Sequence, residues 1–151
     1  MTNFNPYHLV QTDIAIEADR AFLKRQLKSF NNVVSPHHLQ IRTNPPRPLD
    51  LILRDEAQQI VGGLAASTYW SCLDIDDLWL HADLRQRGFG HQLLALAEQE
   101  AQARGCHYAW LSTFSFQARG FYEKVGYRVI GQLTDYPPGA TYFWLRKDFE
   151  A

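Results

Sequence analysis

Leu78-Trp79-Leu80-His81-Ala82-Asp83-Leu84-Arg85-Gln86-Arg87-Gly88-Phe89-Gly90-His91 is the stretch on which the fold turns. An apolar run fit for a strand ends in Arg-x-Arg-Gly-x-Gly and leads straight into a segment of helical spacing, Leu93, Leu94, Ala97 and Ala101. The first turn of a helix carries backbone N–H groups without an internal partner, and the helix dipole adds partial positive charge there. Glycine lets the backbone approach an anion with no Cβ in the way. The combination predicts a phosphate site, to which Arg85 and Arg87 add charge-assisted contacts. Taken alone, the loop reads equally well as a glycine-containing turn that only starts a helix.

Elimination narrows the anion. A nucleoside triphosphate held by a Walker loop needs Lys and then Ser or Thr after the last glycine, whereas His91-Gln92 follows here. A dinucleotide fingerprint needs a third glycine where Leu93 stands, and too little chain precedes the loop for a doubly wound parallel sheet. Coenzyme A remains.

Outward from the loop, the pattern predicts a strand over 75–81, a helix over 90–104 with Gly105 as its left-handed C′ residue, and a strand over 108–113. A short helix over 117–124 and a strand over 127–133 follow. A turn at Asp135-Tyr136-Pro137-Pro138-Gly139 then leads to a last strand over 142–146. On the N-terminal side, strands at 51–54 and 60–69 flank a hairpin turn over 55–59, and Gly62-Gly63 predicts a bulge or a close backbone approach. Tyr7 to Val10 reads as a short first strand. Thr12 or Asp13 is then placed to cap a helix whose Ile16, Leu23, Leu27 and Phe30 should bury one face. The stretch 31–48 should hold a second short helix and a loop. The order is βαα-βββ-αβαββ, an α/β (α+β) domain on one twisted, mostly antiparallel sheet flanked by helices.

The 151 residues fit a single domain, 1–151, with no repeat or linker that divides it. A net charge of -1 argues against a nucleic-acid partner, and no apolar run reaches the length that spans a bilayer. With no signal-peptide pattern, the expected location is cytoplasmic. Cys72 and Cys106 lack metal spacing and read as reduced, half-buried thiols. His37-His38 have no further ligand at metal spacing, so no metal site is expected.

From Leu78 onward the chain resembles the GNAT superfamily of acetyl-CoA-dependent N-acetyltransferases. Its signature, Arg/Gln-x-x-Gly-x-Gly/Ala, is matched by Arg85, Gly88 and Gly90, behind the strand Leu78-Trp79-Leu80 and ahead of Leu93-Leu94. Its second signature appears about thirty residues later as Phe121-Tyr122-Glu123-Lys124-Val125-Gly126-Tyr127. Thr113 to Ala118 and Asp135 to Gly139 are similar to a bacterial small-molecule branch. Two departures stand out: Ser115 replaces an Asn that contacts the pantetheine arm, and His81-Ala82 replaces an acidic residue or His followed by Pro.

The resemblance implies that the acetyl donor lies along the backbone of Leu78, Trp79 and Leu80. It also implies contacts from Arg85, Gln86, Arg87, Gly88, Phe89, Gly90 and His91, and from Ser115, Ala118 and Phe121. Acetyl transfer to an amine needs a base, an oxyanion donor and an acid for the leaving thiolate. The resemblance gives the Leu80 N–H as oxyanion donor and Tyr122 as general acid; without the motif, Tyr122 reads as a core tyrosine. For the base, Asp74 and Asp76 alternate on the face that Leu78 and Leu80 share, and Asp76 is preferred as nearer the splayed centre. Equally open is an acidic strand start that only attracts cations, with the proton leaving through water. His81 and His91 read as loop and helix-start residues. Phe30, Asn31, Asn32, Trp70, Tyr136 and Tyr142 are expected to wall a site for a small-molecule amine, and the resemblance is compatible with a homodimer. A non-catalytic acyl-CoA-binding sensor is the rival reading, and an interaction protein with a nucleotide-like phosphate site is a further one.

Overall fold

A strand needs a neighbour for its main-chain groups, and the apolar runs between 47 and 148 supply neighbours to one another. In the computed structural model, which describes residues 4–150, the chain forms two compact units, one up to Thr43 and one from Asn44. The first holds α1 (Glu17–Val34) and α2 (Pro36–Gln40). The second runs β1 (Arg47–Arg54), β2 (Ile60–Tyr69), β3 (Cys72–Leu80), α3 (Phe89–Ala103), β4 (Tyr108–Phe114), α4 (Arg119–Lys124), β5 (Arg128–Thr134) and β6 (Thr141–Asp148). The six strands form one sheet in the order β1-β2-β3-β4-β6-β5, in which only β3 and β4 run parallel. No helix among the described residues is long and apolar enough to cross a membrane.

The core lies on one face of the sheet. Leu64, Leu73, Leu111 and Leu145 point to the α3 stripe that the spacing foretold, Leu93, Leu94, Ala97 and Ala101. Burying each leucine contributes on the order of 2 kcal/mol. Gly105 ends α3 with φ +85°. The Cys106 N–H returns to the Ala101 carbonyl and the Gly105 N–H to that of Gln102, which satisfies two carbonyls the helix leaves open. Gly62-Gly63 is a close approach: a Cβ on Gly63 would sit 2.7 Å from the Leu51 carbonyl oxygen. Both cysteines are buried and free, and burial raises both thiol pKa values. The turn over 55–59 is closed by the Asp55 and Gln58 amides.

The N-terminal expectations need correction. Residues 7–10 form no strand; they follow a turn in which the Tyr7 N–H meets the Phe4 carbonyl, and no ladder partner takes their main-chain groups. Neither Thr12 nor Asp13 caps α1. Its N-cap is Ile16, and the Thr12 hydroxyl closes a local turn with Ile14 instead, a bond that competes with helix start. No residue of α1 is buried, and Leu23, Leu27 and Phe30 are each more than 60% exposed. A five-residue α2 is too small to cover that stripe.

Backbone crowding and freedom predict opposite signs for two substitutions. Gly63→Ala should lose about 1–3 kcal/mol in urea unfolding, because a strand must shift. Gly120→Ala, in α4 with nothing within 4 Å of the new Cβ, should gain up to about 1 kcal/mol.

Candidate active site

β3 and β4 begin as a parallel pair and then part. Their register covers only Cys72–Ile75 against Tyr108–Leu111, after which β3 continues to Leu80 with β2 as its one strand partner. The His81 N–H bonds to the Val61 carbonyl at 2.8 Å, which sets the alternation along β3. Trp79 and Asp77 therefore turn their main-chain groups to β2, while Leu78 and Leu80 turn theirs into the gap that β4 has left. Of the expected backbone contacts, Trp79 is thus the exception, since β2 occupies its N–H and C=O. Its indole is half exposed beside His81.

Arg85 Nε donates to the Leu80 carbonyl at 3.1 Å, so the Leu80 N–H is the group of that residue left for the gap. The loop holds its shape through its own bonds. His81 Nδ1 accepts from the Asp83 amide and caps a short 3-10 turn over Ala82–Leu84. Arg87 donates to the Asp83 carbonyl at 3.3 Å and lies over the Phe89 ring. Gln86 and Gly88 both take positive φ, of 57° and 86°, and turn the chain into α3. Gln92 makes the first helical bond, to the Gly88 carbonyl. The amides of Phe89, Gly90 and His91 precede that bond and stand at the helix start without helical acceptors. The donors suit a diphosphate: main-chain N–H groups, a helix dipole, and guanidinium nitrogens of Arg85 and Arg87 beyond those the loop uses.

Gly90 ties this loop to the rest of the site. A Cβ there would lie 3.2 Å from the Phe121 ring and 3.7 Å from Leu80 Cδ1, so the ends of β3, α3 and α4 converge on it. His91 meets the same Phe121 ring edge to face at 4.9 Å. α4 begins after Ala118, whose carbonyl accepts the Phe121 and Tyr122 amides. Ser115 Oγ accepts the Thr141 N–H at 3.1 Å, so the hydroxyl in the place of the usual Asn pins β4 to the start of β6.

Tyr122 is 7% exposed, and among the described residues its hydroxyl meets no hydrogen-bond partner. Burial, aided by the charge of Asp77, pushes its pKa up to about 12. It is therefore a phenol that keeps its proton throughout the neutral range.

The acidic residues are arranged differently from the simple alternation. A register shift pairs Ala65 with Asp77 and Ala66 with Ile75, leaving Asp76 as the extra residue of a bulge. Asp74, opposite Ser67, thus lies on the face away from Leu78 and Leu80, and the expectation that they share a face is corrected. Asp50 and Asp77 both pair with Ala65 and lie on that same outer face. Asp74 accepts the Tyr69 hydroxyl at 2.7 Å. Asp76 is exposed, and desolvation followed by the charges of Asp74, Asp77 and Asp50 raises its carboxyl above the usual value.

Beside the gap, Phe114 stacks on Phe116 at 5.1 Å and on Tyr136 at 6.1 Å, and Tyr142 closes against Phe114 at 4.6 Å. The Tyr142 hydroxyl donates to Ser112. Of the expected wall residues, Tyr136 and Tyr142 come together here, whereas Trp70 packs on Tyr69 at the β2–β3 turn. Phe30, Asn31 and Asn32 belong to α1 in the other unit. Among the described residues no three His, Cys, Asp or Glu side chains gather as metal ligands would.

Sequence reading missed a buried group that holds Tyr127, the neighbour of Tyr122. Glu98, 8% exposed, accepts the Tyr127 hydroxyl at 3.0 Å and pairs with Lys147 at 2.7 Å. The signal was present, because Glu98 falls on the apolar stripe four residues after Leu94 and three before Ala101.

Over residues 17–127 the sequence matches the family described as Acetyltransferase (GNAT) family. Blasticidin-S acetyltransferase of Streptomyces morookaense is 37% identical over 130 residues, which cover 82% of this chain and 96% of that protein. A crystal structure of an acetyltransferase from Bacillus cereus ATCC 14579 is 29% identical with a TM-score of 0.79, covering 93% of this chain and 98% of that one. A Bacillus anthracis str. Ames protein solved in complex with acetyl coenzyme A shares the fold at 24% identity and a TM-score of 0.61, covering 71% of this chain and 65% of that one. The family match and the relative's identity across most of the chain lead to one statement: this chain belongs to the acetyltransferase (GNAT) family, and it is an acyltransferase that takes its acetyl group from acetyl-CoA.

Proposed function

We propose that the chain transfers the acetyl group of acetyl-CoA to a primary amine of a small molecule, by direct attack with both substrates bound. The observation that carries this is the gap between β3 and β4, into which Leu80 turns a main-chain N–H, with the buried Tyr122 phenol packed on Phe121, whose ring meets Gly90 close to Leu80. In this reading the backbone of Leu78 aligns the donor, and the amides of Phe89, Gly90 and His91 with Arg85, Gln86, Arg87 and Gly88 hold its phosphates. Ser115, Ala118 and Phe121 line its arm. The Leu80 N–H donates to the oxygen that gains charge during attack, and Tyr122 gives its proton to the departing sulfur. Asp76 takes the proton from the incoming ammonium. The family match spans residues on both sides of Thr43, which supports the whole chain working as one N-acetyltransferase domain.

α3 and α4 pack on one face of the sheet, so the amine enters from the other. That face carries Asp50, Asp74 and Asp77, and the Phe114–Tyr136–Tyr142 aromatic group lies near its gap. Carboxylates and stacked rings suit a cationic amine with a planar part. The similarity to blasticidin-S acetyltransferase supports the same small-molecule class. Two buried free thiols suit a reducing compartment, and we place the protein in the cytoplasm.

Thiol release from acetyl-CoA against blasticidin S, a polyamine and a short peptide tests the acceptor class. Turnover should favour the planar cationic amine, and thermal stabilisation by acetyl-CoA without thiol release from any amine would turn the reading to a sensor. Tyr122→Phe should lower kcat by about 100-fold and leave the KM for acetyl-CoA nearly unchanged. Gly88→Asp should weaken acetyl-CoA binding at least about tenfold, because it places a like charge and a strained backbone at the phosphates. A carboxylate base works deprotonated and the acid works protonated. Turnover of the wild type should therefore rise through an acid limb above the ordinary carboxyl pKa and stay level until the pH nears the raised Tyr122 value. Asp76→Asn should remove that acid limb.

A further inference from the structure

α4 is a helix of six residues, too short to hold a phenol in place by itself. Because the Tyr122 hydroxyl has no partner among the described residues, the packing of its ring decides where its oxygen sits. Two rings supply that packing, Phe121 at 5.1 Å and Tyr127 at 5.7 Å, both edge to face. Tyr127 is also tied to Tyr122 through the backbone, its N–H donating to the Tyr122 carbonyl at 3.1 Å. Phe121 takes its position from Gly90 and His91 at the start of α3.

Tyr127 is fixed at its far end. Its hydroxyl donates to Glu98 Oε1, and Lys147 on β6 holds Oε2. Lys147 also lies 5.8 Å from the Tyr127 ring centre, and its aliphatic chain packs 3.5 Å from the Cβ position of Gly126. Burying a carboxylate in an apolar stripe costs free energy that a leucine there would not, and two good partners offset that cost only while all three groups keep one geometry. Glu98 lies eight residues beyond Gly90 on the same helix, so the helix that carries the phosphate cradle also carries the anchor of Tyr127.

We propose that Tyr127 and Glu98 are positioning residues for acetyl transfer, holding the Tyr122 phenol in register with the start of α3. The proposal rests on Tyr122 being the general acid. Tyr127→Phe keeps the ring and removes the tether. It should lower kcat about tenfold, the cost of a phenol displaced by a fraction of an ångström to an ångström, with the KM for acetyl-CoA unchanged. Glu98→Gln retains an acceptor for the Tyr127 hydroxyl and should keep most of the turnover, whereas Glu98→Leu should match Tyr127→Phe.

The deciding experiment is a double-mutant cycle on thiol release, with acetyl-CoA and the fastest amine of the panel. If Tyr127 acts through Tyr122, then Tyr127→Phe costs nothing further in a Tyr122→Phe background. An equal loss in both backgrounds, an intact kcat in Tyr127→Phe, or a raised KM with kcat intact would overturn the positioning role while leaving the acid in place. Full turnover in Tyr122→Phe alone would remove the acid and the positioning role with it. Should Glu98→Leu fail to fold, the cycle with Tyr127→Phe still gives the answer.

Discussion

After Ile75 and Leu111, β3 and β4 no longer bond to each other, and the rest of the site depends on that separation. A strand whose main chain is satisfied on one side and open on the other is a binding edge inside a sheet rather than at its rim. The alternation set by the His81–Val61 bond decides which residues offer that edge, and they are Leu78 and Leu80. Arg85 takes the Leu80 carbonyl and leaves its N–H, so the first residue of the signature shapes the donor set of the gap. The Asp76 bulge falls in the same stretch of β3, where a strand paired on one side can accommodate an extra residue.

Apolar packing and buried polar contacts divide the work around this gap. Leu64, Leu73, Leu94, Leu111 and Leu145 hold α3 to the sheet, with no direction of their own beyond shape. Direction comes from close contacts. Gly90 lets Phe121 approach the helix start, and Glu98 fixes Tyr127 between α3 and β6. Tyr122 thus sits on a short helix but packs against rings whose positions two longer elements set. The carboxylates of Asp50, Asp74 and Asp77 lie on the opposite face of the sheet.

What could be read from the residues follows from the range of the physics involved. The α3 stripe, the Gly105 terminus, the hairpin at 55–59 and the glycine loop are local, each encoded within a few residues, and all appear as the spacing implied. The resemblance carried over Tyr122 by motif, and the structure adds its burial and its raised pKa. The faces of Asp74 and Asp76 were misjudged because a bulge depends on the neighbouring strand, which period-two counting cannot see. The strand at 7–10 and the cap at Thr12 failed for related reasons: a strand needs a partner, and a hydroxyl can close a turn instead of a helix. Glu98 was legible in principle as a charge in an apolar stripe, but its partners lie 29 and 49 residues away in the chain.

The central claim is that β3 presents the amides of Leu78 and Leu80 to the acetyl donor as a missing strand would. Residue-resolved amide hydrogen exchange, with and without saturating acetyl-CoA, measures this directly. In the free protein the Asp77 and Trp79 amides should exchange slowly and those of Leu78 and Leu80 quickly, and acetyl-CoA should slow the latter pair. Unchanged fast exchange at Leu78 and Leu80 in the saturated protein would contradict the account.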